Sequence, residues 1–239
     1  MPTPIVVLSE CDGPVAPPPG AEAYAALLAK TMAVPLRLLR VVPAAAGQVV
    51  AAESVAAVLA QQDALLLVMR CPTGADPPSG WLATAVWSLL QTVRPPLLLV
   101  PGDLADQAPP RRIALVADGD PFTLVHGQRA MHGLLLTLPI QLTVLHAPVP
   151  ESAASAADAL QTVLACGLAA RYLTAAATLV VPAPGAVAGI LAGARQVGAD
   201  LLVLIIRQAS LVAAGFSASP LAVLARQSPV PVLLLLATD

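Results

Sequence analysis

Charge is scarce in this chain. Only 11% of its 239 residues are charged, 12 Lys and Arg against 14 Asp and Glu. The basic residues are scattered and the net charge is −2, so there is no electrostatic footprint for DNA or RNA, which argues against a nucleic-acid partner. Cysteine is scarce too: Cys11, Cys71 and Cys166 are odd in number and far apart. That fits reduced thiols in a cytoplasmic protein rather than a disulfide framework. No Cys or His pair stands at metal-ligand spacing, so no metal is expected. Long uninterrupted apolar runs are missing as well. Val163–Val181 is broken by Arg171 and Thr174, and Leu201–Ile206 is far shorter than the roughly 18 residues a spanning helix needs, so no membrane insertion is expected. The opening MPTPIVVLSE has no basic region followed by a long apolar stretch and does not read as a secretory leader. There is no G-x-S-x-G, no Gly-Lys-Ser phosphate loop and no dinucleotide fingerprint followed by an acid.

What the chain does have is hydrophobicity, 57% of its residues, and a repeat. Pro4–Ser9 (PIVVLS) and Arg112–Ala117 (RIALVA) are each followed by acid and glycine, in ECDG from Glu10 and DGDP from Asp118. Leu36–Val42 (LRLLRVV) resembles Leu142–Pro148 (LTVLHAP). DALLLVMR at Asp63–Arg70 lines up without a gap on DLLVLIIR at Asp200–Arg207, and VRPPLLLV at Val93–Val100 on PVPVLLLL at Pro229–Leu236. Four blocks in one order describe two copies of one unit.

The runs are short, rich in Leu and Val and not alternating, as strands buried on both faces read. Helical spacing lies between them, at Ala21–Ala33, Gln128–Leu138, Ala153–Tyr172 and Val187–Val197. Strands alternating with helices predict right-handed crossovers and parallel sheets, hence an α/β fold of two tandem units. The expected boundaries are 1–102 for the first unit, 103–112 for a Pro-, Gly- and charge-bearing linker, and 113–239 for the second. The second copy has about thirty extra residues from Pro148 to about Ala177, so the first is a shortened unit, with Gln48–Ala51 a plausible third strand.

The order of these blocks resembles the universal stress protein family in its tandem form. The residues that carry the resemblance are Asp118 with Gly119, His146, GADLLVLI at Gly198–Ile205, ARQSPVPVLLL at Ala225–Leu235, and their first-copy echoes. It implies a Rossmann-like unit of the adenine nucleotide alpha hydrolase type. It also implies pairing of the last strands, here Leu97–Val100 against Val232–Leu236, as an intramolecular pseudo-dimer. Nucleotide-binding members carry glycines at G-x2-G-x9-G-(S/T) after the fourth strand. Here those positions fall on Ile205, Gln208, Ala218 and Ser219, so only the last survives. Glycine allows close backbone approach to phosphate without a Cβ clash, and its loss implies a degraded ATP motif. The first copy's corresponding region, RCPTGADPPSGWLAT at Arg70–Thr84, is two residues longer, and Pro72, Pro77 and Pro78 remove N–H donors.

In the second unit Ser219 and Pro220 form a good N-cap and N1 pair. With Asp118, Arg207, Gly215 and Ser217 they make a candidate nucleotide or anion cleft at the strands' carboxyl ends. The expected function is a non-catalytic stress-response or regulatory binding module, with no cofactor and with an unidentified protein partner or a second copy of itself. The apolar loop 208–216 is the expected contact for such a homodimer. The alternatives are an AMP or ATP binder with slow hydrolysis through the second unit, and a cytoplasmic regulatory partner of a membrane transporter. Other residues read as structural. His126 and His132 are six apart, off a shared helix face, and His146 reads as a core or rim residue. Asp118 and Asp120 suggest Asx-turn chemistry. Cys71 has no histidine in its half to activate it, and Trp81 and Trp87 read as packing.

Overall fold

A run of Leu and Val without alternation offers no polar face to water, so it must be covered on both sides. In the computed structural model the central strands are so placed. The structure describes residues 2–10, 20–41, 64–71, 86, 89–90, 95–104, 108–125, 137–147, 154–168, 177–181, 186–207 and 220–238. Ten strands lie among them: β1 Ile5–Glu10, β2 Leu36–Val41, β3 Leu66–Cys71, β4 Leu97–Pro101, β5 Arg112–Ala117, β6 Thr123–Leu124, β7 Gln141–His146, β8 Ala177–Val180, β9 Leu201–Arg207 and β10 Val232–Thr238. They form one sheet in the order β2-β1-β3-β4-β10-β9-β5-β7-β8, with β6 added to β10. Neighbours pair in parallel, except that β10 runs antiparallel to β4 and to β6.

The sheet separates two apolar layers. On one side lie Leu202, Leu204, Ile206, Val232, Leu234 and Leu236; on the other Leu201, Val203, Leu233 and Leu235. This is the period of two that a pleated strand imposes. Both layers draw residues from both halves of the chain, so burial runs unbroken across the β4–β10 contact. Helix α1, Gly20–Met32, buries Ala21, Tyr24, Ala25, Leu28 and Ala29, the one-faced spacing of an amphipathic helix. It ends at Ala33, whose φ of 51° is left-handed. Helix α2, Ala156–Ala165, starts at a capping box, Ser155 with Asp158. It is shorter than the Ala153–Tyr172 periodicity predicts, because Cys166 closes it and Gly167 turns left-handed at φ 81°. Helix α3, Ala186–Gln196, and helix α4, Pro220–Gln227, cover the other face and carry Arg195 and Arg226 in their last turns. Among the described residues no helix is long and apolar enough to cross a membrane. Most of Gln128–Leu138, and all of Gln48–Ala51, lie outside the described residues.

The hydrogen bonds also correct the register of the repeat. Leu65 N–H donates to Pro4 C=O, and in the matching place Asp200 N–H donates to Arg112 C=O. Leu67 N–H donates to Pro96 C=O as Leu202 N–H does to Pro231 C=O. The antiparallel contact centres on Leu98 opposite Leu233. Leu65 therefore matches Asp200, two residues from the gapless alignment, and Leu98 matches Leu233, one residue from it. On this register Cys71 matches Ile206, and Pro72 stands in sequence where the second half has Arg207. The segments after the two strands become equal in length.

Candidate functional site

β10, β9 and β5 are neighbours, and the chain leaving β5 does not stay above β5. It crosses the carboxyl end of β9 to pair as β6 with β10, Ala237 opposite Leu124 and Thr238 opposite Thr123, with Val125 N–H donating to Leu236 C=O. Arg207, the last residue of β9, therefore emerges beneath a loop of backbone carbonyls. Its Nη1 donates to Pro121 O at 3.0 Å and its Nη2 to Asp120 O at 3.0 Å. The Nε–Nη2 edge grips the Asp118 carboxylate, Nε to Oδ2 at 3.2 Å and Nη2 to Oδ1 at 3.1 Å. This is a side-on bidentate pair, the geometry in which guanidinium and carboxylate match best. The two side chains are 19% and 30% exposed.

Asp118 is held in turn by its own turn. Its Oδ1 accepts the Asp120 N–H at 3.0 Å, the Asx geometry that the spacing of the two acids predicts. Gly119 adopts φ 99°, and a Cβ there would lie 2.7 Å from Ala154 Cβ. Glycine is required on both counts. Thr162 of α2 donates Oγ1–H to Gly119 O at 3.3 Å, tying the turn to the middle of α2. At that helix start Ser155 donates both N–H and Oγ–H to Asp158, at 2.8 and 2.7 Å. These bonds hold the Asp158 carboxyl below the usual carboxylate range, the hydroxyl bond contributing most, with the backbone bond and nearby His146 adding to the effect.

Beside the pair opens a cleft of about 110 Å³, with Val116, Ala117, Phe122, Ala147 and Ile205 among its walls. It lies between β5 and β9, at the carboxyl ends of the parallel strands, where ligands of open α/β sheets bind. The structure thus joins Asp118 and Arg207, two of the residues singled out from sequence. Gly215, Ser217 and Ser219 lie outside the described residues, as do loop 208–216, Cys11, Trp81, Trp87, His126 and His132. His146, at the end of β7, is 3% exposed and its Nδ1 has no partner among the described residues; it is a core residue next to the site. Cys71 is buried and its thiol is pushed up to about 11 by burial, with Arg226 opposing, so it is not an activated nucleophile. Among the described residues no group of three or more His, Cys, Asp or Glu could hold a metal ion.

At the site sequence reasoning missed three things. It gave no role to the carbonyls of Asp120 and Pro121, because main-chain acceptors leave no trace in residue type. It also missed β6, two residues long, and Asp200, whose Oδ1 accepts N–H from both Arg111 and Arg112 at 2.9 Å and pins the start of β5 to β9.

No protein-family model matches the chain, and no curated protein matches it. Solved structures do. A universal stress protein from Archaeoglobus fulgidus matches over 96% of this chain and 95% of its own, at 15% identity and a TM-score of 0.56. Two Pseudomonas aeruginosa proteins, one named for the same family and one of unknown function, match over 99% and 98% of this chain and 94% and 92% of theirs. Their identities are 16% and 13% and their TM-scores 0.48 and 0.49. The chain has the fold of the Archaeoglobus protein, an α/β fold on a mostly parallel sheet, as the block order implied.

Proposed function

We propose that this chain is a tandem universal-stress-type module, acting in stress response or regulation by binding a partner rather than by catalysis. Its units are residues 1–102 and 113–239, joined by 103–112 and packed as an intramolecular pseudo-dimer in the cytoplasm. The continuous sheet through β4 and β10 supports the pairing. The observation that carries the non-catalytic reading is the state of Arg207. A site that grips a triphosphate needs cations or main-chain amides directed at the ligand. Here the cation at the cleft already donates to its own chain's carboxylate and to two carbonyls, and Ile205 occupies a glycine position of the nucleotide-binding pattern. A protein partner or a second copy is the ligand this reading expects, and no cofactor.

The test is the thermal midpoint of the full chain with millimolar ATP, AMP and Mg²⁺, together with a hydrolysis assay. The expected outcome is no shift and no turnover. Micromolar affinity for ATP with measurable turnover would overturn the reading. One observation favours a second reading, an adenine-nucleotide binder working through the second unit alone: the cleft sits at the strand ends of β5 and β9 with Asp118 at its edge. A midpoint raised by AMP or ATP, and lost in Arg207→Ala, would select it.

A further inference from the structure

We infer that the outer edge of β2 is a docking site for an extended segment of a partner protein, one that adds a strand to the sheet and alternates apolar with acidic side chains. The inference deepens the partner-binding reading above and rests on it. β2 is the last strand on its side of the sheet, and its main chain is only half used. Ile5 N–H donates to Pro35 C=O, and the parallel register runs from Ile5 opposite Leu36 to Glu10 opposite Val41. In such a ladder alternate residues turn their polar groups to the same neighbour. Arg37 and Leu39 therefore face β1, whereas Leu36, Leu38 and Arg40 direct N–H and C=O to the open side. An open edge of this kind is a template for a further strand.

The second half shows what fills the same place. β7 matches β2, and β8 lies along its outer side, with Ala177–Val180 opposite Thr143–His146 and Val181 N–H donating to His146 C=O. Thr143–His146 correspond to Arg37–Arg40, beside which no strand stands among the described residues. The side chains agree: Leu36 and Leu38 are each 40% exposed, where Leu142 and Val144 are fully buried. Charge then decides the kind of partner. Lys30, Arg37 and Arg40 are three of the chain's 12 basic residues, and no acid stands between Glu22 and Glu53. Lys30 and Arg37 are exposed. A second copy paired through the same edge brings two such basic stretches together, which like charges on adjacent strands oppose. An acidic strand is attracted instead. Leu36 and Leu38 share one face of β2 and Arg37 lies on the other, with Leu39. The segment that fits therefore has apolar residues on the first face and Asp or Glu on the second.

The experiment titrates the full-length native chain with three labelled peptides about ten residues long. One alternates Val and Glu, one alternates Val and Lys, and one is the Val-Glu peptide N-methylated throughout. Fluorescence anisotropy reads affinity, and amide hydrogen exchange reads the place of binding. The Val-Glu peptide is expected to bind at least about tenfold tighter than either of the others, and to slow exchange at Leu36 and Leu38 by at least about tenfold. Arg37→Glu should reverse the preference between Glu and Lys peptides. Leu38→Pro removes an outward N–H and no bond to β1, and should abolish binding. Should that variant fail to fold by circular dichroism, the N-methylated peptide puts the same question to the native chain. Equal affinity for the Val-Glu peptide and its N-methylated form overturns the inference, because side chains alone then make the contact. So do equal affinity for the Glu and Lys peptides, and Leu36 and Leu38 amides that are already protected in the free chain. Dimers in sedimentation that Arg37→Glu or Leu38→Pro dissociates would make a second copy the occupant and overturn it as well. The non-catalytic reading is judged separately, by whether the native chain binds or hydrolyses ATP.

Discussion

The two halves of the sheet end differently. In the second half Leu142 and Val144 of β7 are fully buried, with α2 packed in the same layer through Ala159 and Val163 and β8 hydrogen-bonded alongside. In the first half the matching residues of β2, Leu36 and Leu38, are each 40% exposed. The reason is chain length: between β2 and β3 the first half lacks about thirty residues that the second half uses for α2 and β8. The same contrast recurs at the strand ends. The second half has Asp118 and Arg207 locked across the end of β9, whereas the first half has Glu10 and, at the place of Arg207, a proline. The second half therefore carries a polar lock for which the first half has no arginine at the matching position in sequence.

The largest test of this contrast is packing. Leu142→Ala is expected to cost about 2–5 kcal/mol, as for a fully buried leucine, whereas Leu36→Ala should cost about 1 kcal/mol or less. Urea unfolding of both variants measures the difference, and equal losses would mean that the two layers are covered alike. Next comes the turn beneath the lock. Gly119→Ala should cost about 2–4 kcal/mol, because the residue must hold φ 99° and its Cβ would meet Ala154 at 2.7 Å. The matching position in the first half is Cys11 in sequence, so this glycine is particular to the second half.

A pH effect distinguishes Cys71 from its counterpart, Ile206. The folded thiol is pushed from 9.0 up to about 11, so the folded state holds the proton more tightly than the unfolded one. That contribution is fully present below pH 9 and is lost as pH rises from 9 through 11, by up to about 2–3 kcal/mol. Denaturation across this range should show the fall in the native chain and a shallower one in Cys71→Val. The smallest effect is expected at Asp200, which pins Arg111 and Arg112 where the first half has Leu65. Asp200→Ala should cost about 1 kcal/mol and speed amide exchange at those two residues. Unchanged exchange there would remove its assigned role.

Much of the fold is legible in residue order. Strands were expected at or within a few residues of β1, β2, β3, β4, β5, β7, β9 and β10, because apolar runs of that length have few other uses, and α1 and α3 follow from one-faced spacing. The pairing of Leu97–Val100 with Val232–Leu236 was also anticipated, and the structure contains it and makes it antiparallel. The register between the copies was not legible. A two-residue slip keeps every side chain on its original face, so Asp63–Arg70 fits Asp200–Arg207 as well as the true register does. A one-residue slip normally exposes itself by turning apolar residues outward. In the all-leucine runs of β4 and β10 both faces are buried, and the slip leaves no mark.

At the site, Asp118 and Arg207 were both identifiable, one by its turn and the other by the abrupt end of an apolar run. Their mutual engagement was not. The two residues are 89 positions apart, and the path of the chain over β9 brings them together.

Residue order by itself thus determined most of the element types, since these depend on local periodicity. Only the tertiary structure decided the register of the copies, the half-exposed face of β2 and the capture of Arg207. Each of these is set by hydrogen bonds and coverage between segments distant in the chain, and uniformly apolar strands carry no local mark of which neighbour they will meet.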